Sequence, residues 1–292
     1  MAGGLSGILL VDKPAGWTSH DVVAKLRRLT GVRRIGHAGT LDPMATGLLT
    51  VFVGRATRAV EFAEGHDKGY TALFRPGLTT DTLDTTGTVL TRSGLRPTRV
   101  ELEAALAHFR GDIEQLPPMY SAIKQNGKKL YEIARAGGEV ERKARRVTIY
   151  RLECTGERGD GDFELEVECS KGTYIRTLCD DIGRELGCGG CMSGLRRTRA
   201  GGFDVKDAHT LEDIERLGAE RCILPVDSMF ADRPALLLKD ERAEKALRNG
   251  MEVKLGAGPS GELRVYAPGG EFLLLGEARD GKLKTIKSFF EV

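Results

Sequence analysis

The sequence predicts an α+β protein: a mixed, largely antiparallel sheet flanked by helices, followed by a small C-terminal β-rich domain. Strand-length apolar runs recur along the chain, and helix-period stretches interrupt them irregularly instead of alternating with them. After about Met229 the composition shifts to short strands separated by turn pairs. With 292 residues, 40% of them apolar and 29% charged, the chain can bury a substantial core. Residues 1–228 read as one large domain and 229–292 as a small one.

The elements follow from local pattern. Gly7 to Val11 reads as a buried strand; Pro14 and Gly16 then turn the chain, and Thr18 or Ser19 can cap a helix to about Leu29 with Val22, Val23, Leu26 and Leu29 on one face. Leu48–Val53 and Tyr70–Phe74 read as strands, with a helical stretch from Thr57 to Ala63 between them. Val100–Phe109 has helical period and stops at Gly111. Ile149–Cys154 and Phe163–Cys169 alternate around a turn-forming stretch from Gly156 to Gly161, which predicts a hairpin. Thr177–Leu186 reads as a helix closed by Gly187. In the last part, a helix from Asp240 to Arg248 precedes strands at Leu263–Tyr266, Phe272–Leu275 and Lys284–Phe290.

Charge and cysteine usage narrow the function classes. A net charge of +2 argues against a protein that coats nucleic acid indiscriminately. Positive charge is instead local: the segment 124–151 holds nine Lys or Arg against three Glu, the pattern of a phosphate-contacting surface. No apolar run approaches the roughly 18 residues that span a bilayer, and no signal-peptide pattern opens the chain, so a cytoplasmic protein without a membrane partner is expected. The six cysteines lack disulfide-framework spacing. Cys188 and Cys191 have metal-like spacing but no second ligand pair nearby, so no metal is expected. The stretch Asp81-Thr-Leu-Asp84-Thr-Thr-Gly87 lacks the alternating acids of a calcium loop and reads as a polar turn.

One acid stands apart. In the thirteen residues from His37 to Leu49, Asp42 is the only charged side chain apart from His37 when that is protonated, and its neighbours are small or apolar. Gly39 and Gly47 permit backbone angles closed to other residues, and Pro43 pushes Asp42 out of the helical region. The carboxylate should project from a fixed turn, which makes Asp42 the leading candidate for chemistry.

That segment, with Lys13-Pro-Ala-Gly-Trp-Thr-Ser19 before it and Ser170-Lys-Gly-Thr-Tyr-Ile-Arg176 after it, resembles the bacterial TruB family of tRNA pseudouridine synthases. Further matching stretches are Asp67-Lys-Gly-Tyr70, Gly77 to Gly87, Phe109 to Lys124, Gly127 to Tyr131 and Leu195-Arg-Arg197. Each is weak alone, but eight in family order over two hundred residues make a specific signature. Two departures touch local RNA contacts: Gly69 stands where an Arg commonly precedes the tyrosine, and Cys191-Met-Ser193 differs from relatives.

The resemblance implies a pseudouridine synthase type sheet, a C-terminal PUA-like RNA-binding domain and isomerisation of uridine 55 in the T loop of tRNA, without cofactor or metal. It assigns the nucleophile to Asp42, an ion pair with it to Arg176, and a position near the base suited to proton relay to Tyr174. It further assigns stacking on the everted base to Tyr70, a uracil contact to Leu195 and a wedge beside the displaced base to His37, read as a loop residue. Lys13 is open to two duties, phosphate contact or bracing the Asp42 loop. The basic segment 124–151 resembles a mobile loop that closes over RNA. The expected partner is the tRNA T stem-loop, bound by a monomer with no obligatory protein or guide RNA, with help to tRNA folding as a companion role. An RNA clamp without chemistry and a carboxylate-dependent glycosidase are the competing classes. The first needs no enclosed nucleophile, and the second ordinarily uses two catalytic acids.

Overall fold

The computed structural model describes residues 4–290 apart from 122, 123, 126, 136, 139, 160 and 257. β1 (Gly7–Lys13) is an apolar strand buried almost throughout. α1 (Ser19–Thr30) starts at Thr18 with a reciprocal capping box: the Thr18 hydroxyl accepts from the Asp21 amide and the Asp21 carboxylate accepts from the Thr18 amide. Gly31, at φ 69°, closes it. β2 (Ile35–Ala38) and β3 (Thr46–Val53) follow, separated by the Asp42 loop. The helix expected over residues 57–63 splits into a 3-10 turn, Gly54–Ala59, and a short α2 (Val60–Glu64). Ala56 and Ala59, both fully buried, sit three apart, a spacing that suits the tighter winding.

β4 (Lys68–Pro76) leads into the small hairpin of β5 (Leu78–Thr80) and β6 (Val89–Arg92), then α3 (Arg99–Ala107) and β7 (Gly111–Gln115). β8 (Lys124–Gln125), β9 (Lys128–Lys129) and α4 (Leu130–Arg135) form a short excursion. β10 (Arg145–Arg158) and β11 (Asp162–Cys169) make the expected hairpin, but its arms run further, because Gly156 is absorbed at a bulge instead of turning the chain. The basic segment is corrected in part: Arg145, Arg146 and Arg151 lie in a sheet strand, whereas the side chains of Lys124, Lys128, Lys129 and Arg135 fall outside the described residues.

α5 (Ile175–Glu185) begins two residues earlier than its period predicts, and β12 (Gly190–Ala200) is a long strand that the sequence reading missed. Two glycines and three arginines break its alternation, yet it sits at the middle of the sheet. β13 (Phe203–Asp204), α6 (Leu211–Leu217), α7 (Ala219–Cys222) and β14 (Ile223–Leu224) complete the first body. The main path of the sheet runs β14-β1-β3-β12-β4-β11-β10-β7, and its pairs are antiparallel except β3 with β12. β12 lies beside Thr46 and Gly47 of β3, whereas β2 lies beside Thr50 to Val53, so the Asp42 loop leaves the sheet where one neighbour gives way to the other.

A second, five-stranded sheet comprises β15 (Ala235–Leu237), β16 (Val253–Lys254), β17 (Gly261–Tyr266), β18 (Phe272–Arg279) and β19 (Lys282–Ser288), with α8 (Glu241–Arg248) capped by Asp240. The two bodies share an apolar seam in which Phe62, Phe230, Phe272 and Phe289 meet, with centroids 5.3 to 6.4 Å apart. Arg58 donates to the carbonyl and hydroxyl of Ser288, and Lys287 pairs with Glu61 at the rim. The fold class expected from sequence, a mixed and largely antiparallel sheet with helices and a β-rich C-terminal unit, is the one found.

Candidate active site

The Asp42 turn is held from several directions. Gly39 (φ 73°) and Gly47 (φ 96°) bound it. A Cβ on Gly47 would lie 2.3 Å from the Arg197 carbonyl oxygen, so glycine is required there by both angle and space. The Ser19 hydroxyl accepts from the Leu41 amide at 3.0 Å, and the Pro43 carbonyl accepts from the Gly16 amide at 2.8 Å. Lys13 is fully buried, and its ammonium donates to the carbonyls of Trp17 (2.6 Å), Pro14 (2.9 Å) and Pro43 (3.3 Å). Of its two open duties this is the geometry of the brace, not of an exposed phosphate contact. Burial lowers its pKa to about 8.

Arg176 stands in the first turn of α5, where the helix dipole opposes a cation. Carboxylates compensate. Its Nε lies 3.0 Å from one Asp42 oxygen and an Nη 3.4 Å from the other, a side-on pair. The rest of the guanidinium donates to the carbonyls of Thr82 (3.0 Å) and Tyr120 (2.6 Å) and lies 3.5 Å from Asp84. The Arg176 side chain is only 7% exposed, whereas that of Asp42 is 36% exposed, so the pair is anchored in the protein and open on the acid's side. Burial raises the Asp42 pKa; Arg176 opposes the rise, Asp84 adds to it and Lys13 opposes it more weakly.

Asp84 was legible only as part of a polar turn. It is buried, and its carboxylate accepts from the Thr82 hydroxyl (2.9 Å) and from the Thr86 amide (3.0 Å) and hydroxyl (2.5 Å). Leu83 in the same turn takes φ 63°, an angle uncommon for a branched side chain, while its carbonyl accepts from Met192 of β12. The turn thereby delivers both a carboxylate and the Thr82 carbonyl to Arg176.

The remaining candidates lie on β4, β12 and β2 and at the start of α5. Tyr70 on β4 is 8% exposed and lies directly opposite Arg197 of β12. Tyr174 precedes α5; its amide donates to the Gln115 side chain at 3.0 Å, and the Arg145 guanidinium lies 5.3 Å from its ring centroid. Leu195 on β12 packs between the two main core clusters. His37 was expected on a loop but belongs to β2, edge-on to His20 at 5.7 Å. Its Nδ1 is buried without a hydrogen-bond partner among the described residues, and burial lowers its pKa to about 4, so the ring is neutral at physiological pH. Among the described residues no cluster of three or more His, Cys, Asp or Glu is placed to hold a metal ion, and no helix is long and apolar enough to cross a membrane. Cys188 and Cys191 are both buried with free thiols.

Residues 27–175 match the N-terminal domain of the TruB family of pseudouridylate synthases, and residues 176–231 match the tRNA pseudouridylate synthase B C-terminal domain. This chain belongs to the TruB family. It is therefore an isomerase that makes pseudouridine. Relatives named tRNA pseudouridine synthase B include that of Azoarcus sp. strain BH72, 46% identical over 96% of this chain and 93% of its own. The one from Clostridium kluyveri is 41% identical over 98% of this chain and 100% of its own. Among solved structures, a Cbf5-Nop10-Gar1 complex gives a TM-score of 0.73 at 27% identity, covering 97% of this chain and 85% of that chain. An H/ACA RNP bound to a substrate RNA containing 2'-deoxyuridine gives 0.72 at 25% identity, covering 98% and 85%. In this fold the Asp42 loop and the first turn of α5 meet at the Asp42–Arg176 pair.

Proposed function

We propose that this enzyme converts uridine 55 in the T loop of tRNA to pseudouridine, with Asp42 as the nucleophile acting on a base turned out of the loop. The observation that carries the reading is the Asp42–Arg176 pair, a carboxylate open on one side and bound side-on by a buried guanidinium. Burial favours the protonated, unreactive acid; the arginine opposes this and favours the ionised form. The tRNA substrate is supported by the names of the bacterial relatives.

The reaction breaks the bond from C1′ to N1 and forms one from C1′ to C5; C5 loses a proton and N1 gains one, so no group enters or leaves. Everting the base costs a few kcal/mol, which stacking on Tyr70, at roughly 1 to 3 kcal/mol, offsets. Tyr174 stands beside α5 to take or relay the C5 proton, Leu195 and His37 flank the base, and Lys13 braces the turn. The unit 229–292 acts as a PUA-like RNA-binding domain, and the enzyme works as a monomer in the cytoplasm without a guide RNA.

The test is tritium release from C5-labelled uridine in T-arm RNA. Wild type should release label, and Asp42→Asn should lose release by several powers of ten while still binding the RNA. Equal turnover by the variant refutes the nucleophile. Binding without release by wild type would favour an RNA clamp, and release from another RNA alone would remove the T-loop assignment.

A further inference from the structure

Behind Tyr70 lies a cation that the assigned roles leave unused. Arg197 is 1% exposed and has no carboxylate within 4 Å among the described residues, an expensive placement for a guanidinium. Lys13 and Lys68 add like charge nearby. Its neutral partners are specific. Nε donates to the Leu48 carbonyl at 2.7 Å and an Nη to the Gly39 carbonyl at 2.9 Å, three residues before Asp42. Across the strand pair it stands directly opposite Tyr70, so the two side chains lie side by side on one face of the sheet.

We propose that Arg197 is a positioning residue: one rigid group ties the Tyr70 platform to the Asp42 turn and fixes the separation between stacked base and nucleophile. The inference rests on the reading above that Tyr70 carries the base. A planar fork suits this work because its donors diverge at fixed angles, which a lysine ammonium cannot reproduce. β12 supplies the rest of the frame, since the backbone of Arg197 also abuts Gly47 at the end of the same turn.

The experiment is a double-mutant cycle on single-turnover tritium release from T-arm RNA, with RNA affinity measured in parallel. Arg197→Gln should slow the step by about a hundredfold, the scale of an ångström misplacement, with affinity changed less than about twofold. Tyr70→Leu should slow it as well, and Arg197→Gln should add little once Tyr70→Leu is already present. Penalties that multiply, or a wild-type rate for either single variant, would overturn the proposal. Should Arg197→Gln fail to fold, Arg197→Lys, which keeps the charge, takes its place with the same expected rates and coupling. Wild-type release in the same assay separates failure here from failure of the underlying reading.

Discussion

Replacing Arg176 by lysine or by methionine separates charge from geometry at Asp42. The guanidinium serves both Asp42 oxygens, the Thr82 and Tyr120 carbonyls and Asp84 at once. A lysine ammonium has three donors and cannot span these directions, so at least one buried carbonyl loses its donor, at about 1–3 kcal/mol. The side-on grip on Asp42 is also lost. If about 3 kcal/mol of that is felt at the transition state, the lysine enzyme is slower by about two powers of ten. Methionine removes the charge as well, and Asp84 is then left buried without its cation, so a larger loss is expected. The pH dependence distinguishes the two. Arg176 favours ionised Asp42, so removing the charge must push the acid limb of the single-turnover rate to higher pH, whereas lysine should leave that limb nearly in place. Single-turnover rates across pH for the three proteins provide the measurement. A wild-type rate for Arg176→Lys, or coincident acid limbs for wild type and Arg176→Met, would refute the reasoning.

Other outcomes follow from the same structure. Because the folded-state pKa of Asp42 is raised, its ionised form costs stability at neutral pH, and that cost fades as pH falls through the raised pKa and is gone below the ordinary carboxylate range; Asp42→Asn should therefore melt higher than wild type at pH 7, with the gap closing in acid, by calorimetry. Lys13→Met relieves a buried charge but strips the donor from three carbonyls, so a net loss of about 2 kcal/mol is expected in urea unfolding. Phe230→Ala should cost about 3–5 kcal/mol by emptying the seam between the two bodies, and it should raise proteolysis at the 231–234 connection. Chemical-shift titration of His37 should give a midpoint near 4 instead of the usual 6.5.

The sequence made Asp42 legible because its surroundings are locally odd: an acid between glycines, beside a proline, with no other acid, lysine or arginine from His37 to Leu49. Period and caps located α1, α3, α5 and α8 to within a few residues. β12 escaped because an internal strand that carries Arg196, Arg197 and Arg199 has no alternation to read. Asp84 escaped for a different reason, since its turn chemistry is complete by itself and nothing local reveals an arginine 92 residues away. The Tyr120 contribution is a backbone carbonyl, which no side-chain pattern can signal. Lys13 could be seen near the turn, but only three-dimensional packing decides that its ammonium faces inward.

The position of β12 bears on when the enzyme becomes competent during synthesis. It is the sole bridge along the main path between a half built from β1, β2, β3 and β14 and a half built from β4, β7, β10 and β11. A growing chain emerges from its amino end, so until Ala200 has left the ribosome Asp42 and Tyr70 belong to two strand sets with no β12 between them. Fragments that end after Arg176 but before Gly190 should therefore hold both Asp42 and Arg176 yet leave T-arm RNA unchanged in the tritium-release assay.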